Sequence, residues 1–289
     1  MSVWRSAGIT LEMIKWEHSV FALPFALTGA MLAAGGLPGG KTLLWILVCM
    51  ISARSAAMAF NRLADAELDA ANPRTATRAL PAGTLSRGFV AAFTLLSSVI
   101  FFVGASQLNR LTLWLSPLAL AILFAYSYTK RFTRWSHLVL GLSLGIAPSA
   151  AWIAVRGTLD PRIILLTAAV LCWVAGFDML YACQDYEHDR RVGLRSIPAS
   201  LGLMKAFWLA RGLHFAAFVL LLVIVPLFGL GKIALAGVLV VGLLLLYEHS
   251  LVSPKNLSRL NAAFFTMNGA IAMVYFLFTA TDLLWMARH

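Results

Sequence analysis

Acid is scarce in this chain. Only 12 of its 289 residues are Asp or Glu, and charged residues of both signs make up 12%, about half the share that a soluble domain carries. Long polar or low-complexity stretches are missing too, which excludes a separate soluble domain and a disordered linker. Cysteine is nearly absent. Cys49, Cys172 and Cys183 are odd in number, lie in apolar segments and have no metal-ligand spacing. A disulfide framework and a thiolate metal site are therefore excluded, and the three read as small buried residues. No cleavable signal pattern is read at the N-terminus, because Lys15, Glu17 and His18 interrupt the region before the first long apolar run.

What fills the chain is hydrophobic sequence, 61% of all residues, with a mean hydropathy of +0.84. Apolar runs near bilayer length recur from end to end and predict an all-α membrane protein. Nine transmembrane helices are expected, at 19–36, 42–62, 88–108, 111–128, 136–156, 161–183, 205–228, 232–249 and 260–282. They read as one domain over 1–289. The net charge of +11 would suggest nucleic acid in a soluble protein. Here it lies in short loops and sets orientation instead, so no nucleic-acid partner is expected. Loops 63–87, 129–135, 184–204 and 250–259, with the N-terminal segment and adjoining helix ends, hold 16 Lys and Arg against 6 on the other side. The positive-inside rule then puts the N-terminus in the cytoplasm and, with nine spans, the C-terminus opposite.

The few acids are not scattered. Asn61, Asp65 and Asp69 recur at i, i+4, i+8 at the end of the second span, on one helical stripe. Asp178, Asp185 and Asp189 share a face at i, i+7, i+11 across the end of the sixth. Asp178 lies inside an apolar stretch, where an acid is costly unless it is used. Both clusters run on into Arg-rich loops, a four-helix offset that suggests internal duplication. Paired carboxylates suit magnesium, which takes one or two from protein and completes its shell with water and phosphate. Alone, the first cluster could equally be a solvated helix end paired to nearby Arg. Two clusters on one side favour a magnesium–diphosphate site, with Arg74, Arg78 and Lys130 as phosphate partners. Glu67, Glu187 and His188 fall off the stripes and read as solvated or as backing the ligands from outside. Arg54, two turns deeper than Asn61 on the same face, must pair with an acid or face a polar cavity that takes an anionic group.

These residues resemble the UbiA family of intramembrane aromatic prenyltransferases. The family form N-D-x-x-D-x-x-x-D is filled by Asn61, Asp65 and Asp69, with Arg62 where a second Asp is usual. R-T-x-x-R-x-L-P-x-G appears as Arg74 to Gly83, and D-x-x-Y-A followed by D-x-x-x-D as Asp178, Tyr181, Asp185 and Asp189. Tyr126 to Lys130 looks like the family's Y-x-x-x-K. Arg54 sits where members often have an Arg, and Lys15 where an Arg is common. The pattern looks nearest the 4-hydroxybenzoate polyprenyltransferase branch. The resemblance implies nine transmembrane helices bundled around a central cavity, and a Mg2+-dependent enzyme of quinone biosynthesis in a bacterial inner membrane, its active site facing the cytoplasm. Its substrates would be a polyprenyl diphosphate and an aromatic acid, 4-hydroxybenzoate or a dihydroxynaphthoate. Asn61, Asp65, Asp69, Asp185 and Asp189 would hold metal, and the four Asp with Asp178 would be catalytic. Arg74, Arg78 and Lys130 would bind diphosphate. Arg54, Tyr126 and Lys15 would meet the acceptor. A transporter is the rival from another class, since it too keeps acids and an Arg inside its bundle.

Overall fold

The computed structural model describes residues 3–14 and 19–287. In chain order the helices are α1 (Val3–Met13), α2 (Ser19–Ala34), α3 (Gly40–Ala64), α4 (Ala66–Ala71), α5 (Arg87–Ser106), α6 (Arg110–Thr129), α7 (Ser136–Arg156) and α8 (Ile163–Tyr181), then α9 (Tyr186–Val192), α10 (Ile197–Leu201), α11 (Leu203–Leu227), α12 (Lys232–Leu251), α13 (Leu260–Ala262) and α14 (Asn268–Met286). A 3-10 turn, Ala182–Asp185, joins α8 to α9, and a π-helical segment, Ala263–Met267, joins α13 to α14. No β-strand occurs among the described residues.

Among the described residues, eight helices are long and apolar enough to cross a bilayer. The first expected span is shorter: α2 has 16 residues, roughly 24 Å of helix, and is followed by Gly35 at φ 67°, which ends it. Each long helix packs on the next. The series α3, α5, α6, α7, α8, α11, α12, α14 closes through α2, which touches both α14 and α7. At the centre Phe25 of α2 packs its ring 5.1 Å from Trp173 of α8 and 5.4 Å from Tyr275 of α14.

Small residues set the close crossing of α7 and α8, as is usual in membranes. Gly141 and Gly145 of α7 face the α8 backbone. A Cβ at either would lie 2.5 Å from the Leu171 carbonyl oxygen or 2.8 Å from that of Thr167. Helix ends are closed by side chains. The Ser86, Asn109 and Ser196 side chains accept from the first turns of α5, α6 and α10. Asp282, 3% exposed on α14, accepts from the Gly231, Ile233 and Ala234 amides at the start of α12.

Candidate active site

The α3 helix breaks at Asp65 (φ −99°, ψ 6°), yet the chain goes on helically into α4, with Asp65 N–H on the Asn61 carbonyl and Asp69 N–H on that of Asp65. The expected stripe survives this bend. Both acids are buried, at 3% and 5% exposure, and both are paired. Lys130 Nζ donates to Asp65 Oδ2 at 2.8 Å, Asn61 Nδ2 to the same oxygen at 3.2 Å, and Arg131 Nη2 to Oδ1 at 3.3 Å. Arg131 also donates to the Ala64 carbonyl. Arg78 Nη1 reaches both Asp69 oxygens, at 2.7 and 2.9 Å.

Arg62, the departure from the family motif, is 6% exposed. Its Nε donates to the Met13 carbonyl at 3.3 Å, and its Nη1 lies 3.8 Å from Asp69 Oδ2. It thus ties α1 to α3 and adds positive charge where an acid is usual.

The second loop meets the first. Arg74 forks onto Asp185, Nε at 2.9 Å from Oδ1 and Nη2 at 2.6 Å from Oδ2, while Asn72 Nδ2 donates to Oδ1 at 3.2 Å. Burial pulls the Arg74 pKa down, but the hydrogen bond and charge of Asp185 outweigh it and leave it raised. The Arg74 guanidinium also lies 5.7 Å over the Tyr181 ring, which packs edge-on against Phe265 of the π-helical segment at 6.3 Å. Asp189 accepts from Ser196 Oγ at 3.0 Å. Below the loops, Asp178 Oδ2 lies 2.7 Å from His137 Nδ1.

All six polar residues of the two clusters line one cavity of about 1090 Å³, together with Arg54, Arg74, Arg78, Tyr126, Lys130 and His137. This exceeds the usual size of a small-ligand site. Ile46 and Asn61 both line it, and fifteen residues of α3 span roughly 22 Å. Its walls below the acids are mostly apolar, and it reaches Leu108 and Leu159 beside the loops at the opposite end of the bundle. Ile51 of α3 and Leu118 of α6 line it while 61% and 59% exposed, so it opens toward the lipid-facing surface beside these helices.

Residues 22–277 match the UbiA prenyltransferase family. The chain belongs to this family. Curated relatives include the 4-hydroxybenzoate octaprenyltransferase of Edwardsiella ictaluri (strain 93-146), 32% identical over 246 residues and 85% of each chain. The 4-hydroxybenzoate octaprenyltransferase of Yersinia enterocolitica is 28% identical over 276 residues, 96% of this chain and 95% of the relative. Among solved structures, the apo UbiA homolog from Aeropyrum pernix K1 superposes with a TM-score of 0.85 at 34% identity, over 93% of this chain and 98% of that one. A UbiA homolog from Archaeoglobus fulgidus bound to DMAPP and Mg2+ has a TM-score of 0.72 over 96% and 99% of the two chains; at 18% identity it speaks for the fold alone.

As a UbiA prenyltransferase the protein is an integral membrane enzyme. Its site brings together every residue expected there except Lys15, which lies outside the described residues. Glu67 is solvated, as expected, with 89% of its side chain exposed. His188, read from the sequence as solvated or as backing the ligands from outside, lines the cavity. The sequence reading missed His137, Asn72, Ser196 and Arg131. Asn72 and Ser196 stand three and seven residues beyond an Asp of each cluster, close enough to have been suspected. His137, alone in an apolar helix, carried no such signal. Among the described residues no group of three His, Cys, Asp or Glu closes around a cation by itself. The donors are instead oxygen ligands spread around a cavity mouth, which fits magnesium shared with a phosphate.

Proposed function

We propose that this UbiA prenyltransferase transfers a polyprenyl chain from polyprenyl diphosphate to the ring of an aromatic acid, 4-hydroxybenzoate, with Mg2+. The observation that carries the proposal is the meeting of Asp65, Asp69, Asp185 and Asp189, with five cations beside them, at the mouth of a long apolar cavity. The names of the curated relatives support the acceptor.

Asn61 and the four Asp would hold magnesium, which when bound draws charge from the diphosphate oxygens. Arg74, Arg78 and Lys130 donate to the same oxygens and stabilise the leaving group as the allylic C–O bond breaks. The apolar walls exclude water from the allylic cation, and the faces of Tyr126 and Tyr181 stabilise it. Arg54 receives the acceptor's carboxylate. Asp178 orients the ring, which attacks the allylic carbon and then gives up its proton to the Asp178 carboxylate or to the released diphosphate. For such an enzyme the carrier reading has little to add, since the acids gather at helix ends around one mouth.

We extend the reading to topology. The α2 helix and the eight longer ones make nine spans of a single domain, with the N-terminus and both acidic loops in the cytoplasm of a bacterial cell. The support is the 16-to-6 distribution of Lys and Arg.

The test is an incubation of the purified protein with Mg2+, a long-chain prenyl diphosphate and a panel holding 4-hydroxybenzoate and dihydroxynaphthoates, followed by product mass analysis. Prenylated 4-hydroxybenzoate is expected, with no product after chelation or from Asp65→Ala or Asp185→Ala. A product from the naphthoates alone would move the acceptor. Full turnover in either variant would refute the metal site.

A further inference from the structure

We infer that His137 is a positioning residue for the aromatic acceptor and that the second acidic loop sets its tautomer; this rests on the function proposed above. His137 lies on the first turn of α7 and Asp178 near the end of α8, 41 residues apart in the chain. They are brought together by the glycine-lined crossing of those helices. The backbone N–H of Ile197 donates to His137 Nε2 at 3.3 Å. A neutral imidazole that accepts at one nitrogen carries its proton on the other. Nδ1–H therefore donates to Asp178 Oδ2, at 2.7 Å. Only 4% of the His137 side chain is exposed, against 17% for Asp178, and both line the cavity. The ring is thus fixed at both nitrogens behind a carboxylate that the acceptor can reach.

The arrangement gives Asp178 a defined direction. One oxygen is held by a neutral donor, which restrains rotation of the carboxylate and keeps it an acceptor. Oδ1 takes no part in that bond, so a ring hydroxyl can donate to it from a fixed side. A pinned carboxylate of this kind orients a phenolic ring, and the neutral imidazole behind it adds no charge of its own.

The second half of the inference comes from neighbouring residues. Ser196 Oγ donates to Asp189 Oδ2 at 3.0 Å and accepts from Ala199 N–H at 3.3 Å, while the next amide, Ile197, holds His137. One turn at the start of α10 therefore braces the diphosphate end of the site and the acceptor end together. His137 touches neither substrate in this scheme; it acts through Asp178.

The test compares His137→Leu and His137→Asn with the wild-type protein, using 4-hydroxybenzoate and a prenyl diphosphate. His137→Leu removes the donor. Losing a hydrogen bond to a charged group should lower kcat/KM for the acceptor by roughly 10–100-fold, with the prenyl diphosphate KM within about twofold. In His137→Asn the amide Nδ2 stands near the place of Nδ1, and most of the loss should return. Nitrogen-15 histidine spectra of the wild-type protein should show a neutral Nδ1–H signal that His137→Asn removes and Asp178→Asn shifts. This readout decides the matter if His137→Leu does not fold. An unimpaired His137→Leu, equal losses for both substrates without rescue, or a His137 signal of the Nε2–H form would each overturn the inference. Wild-type protein that prenylates no 4-hydroxybenzoate strikes the proposed function, and the acceptor role of His137 falls with it. Normal wild-type turnover beside an unimpaired His137→Leu strikes the inference alone.

Discussion

Gly141→Ala adds one methyl group at the crossing that carries His137 and Asp178. Its Cβ would lie 2.5 Å from the Leu171 carbonyl oxygen and 3.3 Å from Ala175 Cβ. Backbone cannot swing aside as a side chain does. The helices must part by roughly 0.5–0.9 Å to restore an ordinary contact, or bend by as much. Alanine gains about 0.5–1 kcal/mol over glycine within a helix, while overpacking costs about 1–3 kcal/mol. The second effect wins, and a net loss of about 1–2 kcal/mol is expected. The displacement falls between His137, one turn before Gly141, and Asp178, two turns beyond Leu171. A misplacement of about 1 Å can cost on the order of 100-fold in rate, so turnover should drop roughly tenfold or more. The control is Gly212→Ala on α11, where a Cβ meets nothing within 4 Å; it should be neutral or slightly stabilising. Thermal unfolding in detergent and initial rates with both substrates measure the two effects. A Gly141→Ala protein that unfolds and turns over like Gly212→Ala would refute the close-packing argument.

Arg54→Ala should raise the acceptor KM or cut turnover by more than about tenfold, as the loss of a buried charge-assisted pair worth about 2–5 kcal/mol implies. Prenyl diphosphate affinity should hold, and Arg54→Lys should rescue only in part; a selective loss of prenyl diphosphate binding, read from separate affinities, contradicts the assignment. A topology reporter fused after Arg87 should be active on the cytoplasmic side alone, and activity confined to the outer side would reverse the orientation. Asp282→Ala leaves three amides at the start of α12 without their acceptor. It should lower stability by about 2–4 kcal/mol with substrate KM values unchanged, and an unaltered unfolding curve would count against the cap.

The long helices were legible because apolar length is a strong signal. The expected span 136–156 coincides with Ser136–Arg156, and 42–62 falls within Gly40–Ala64. The last span, expected at 260–282, begins at Leu260 with a short helix and a π-helical segment and runs on to Met286, with Phe265–Met286 as its membrane-length part; the change of helix type was hidden because hydropathy does not distinguish helix types. Loops 63–87 and 184–204 hold the short helices α4, α9 and α10, too brief for periodicity to reveal. In the site, Asp65, Asp69, Asp178, Asp185 and Asp189 stood out because so few charges occur. Their partners did not. Arg74 meets Asp185 from 111 residues away and Lys130 meets Asp65 from 65, pairings that only the closed ring of helices creates. His137 was silent for the same reason, its meaning lying wholly in Asp178 and the Ile197 amide.

The π-helical segment Ala263–Met267 decides how two faces of the last helix are phased. Each residue of an α-helix advances the side-chain direction by roughly 100°, and a π turn holds one residue more than an α turn. Were the same residues wound as regular α-helix, everything before the segment would turn by about that angle relative to α14. Phe265 would leave Tyr181 and the cavity, while the packing of Tyr275 on Phe25 stayed put. The additional residue therefore acts as a clutch: it lets the membrane anchor keep its own rotation while the aromatic end is indexed separately to the mouth of the cavity.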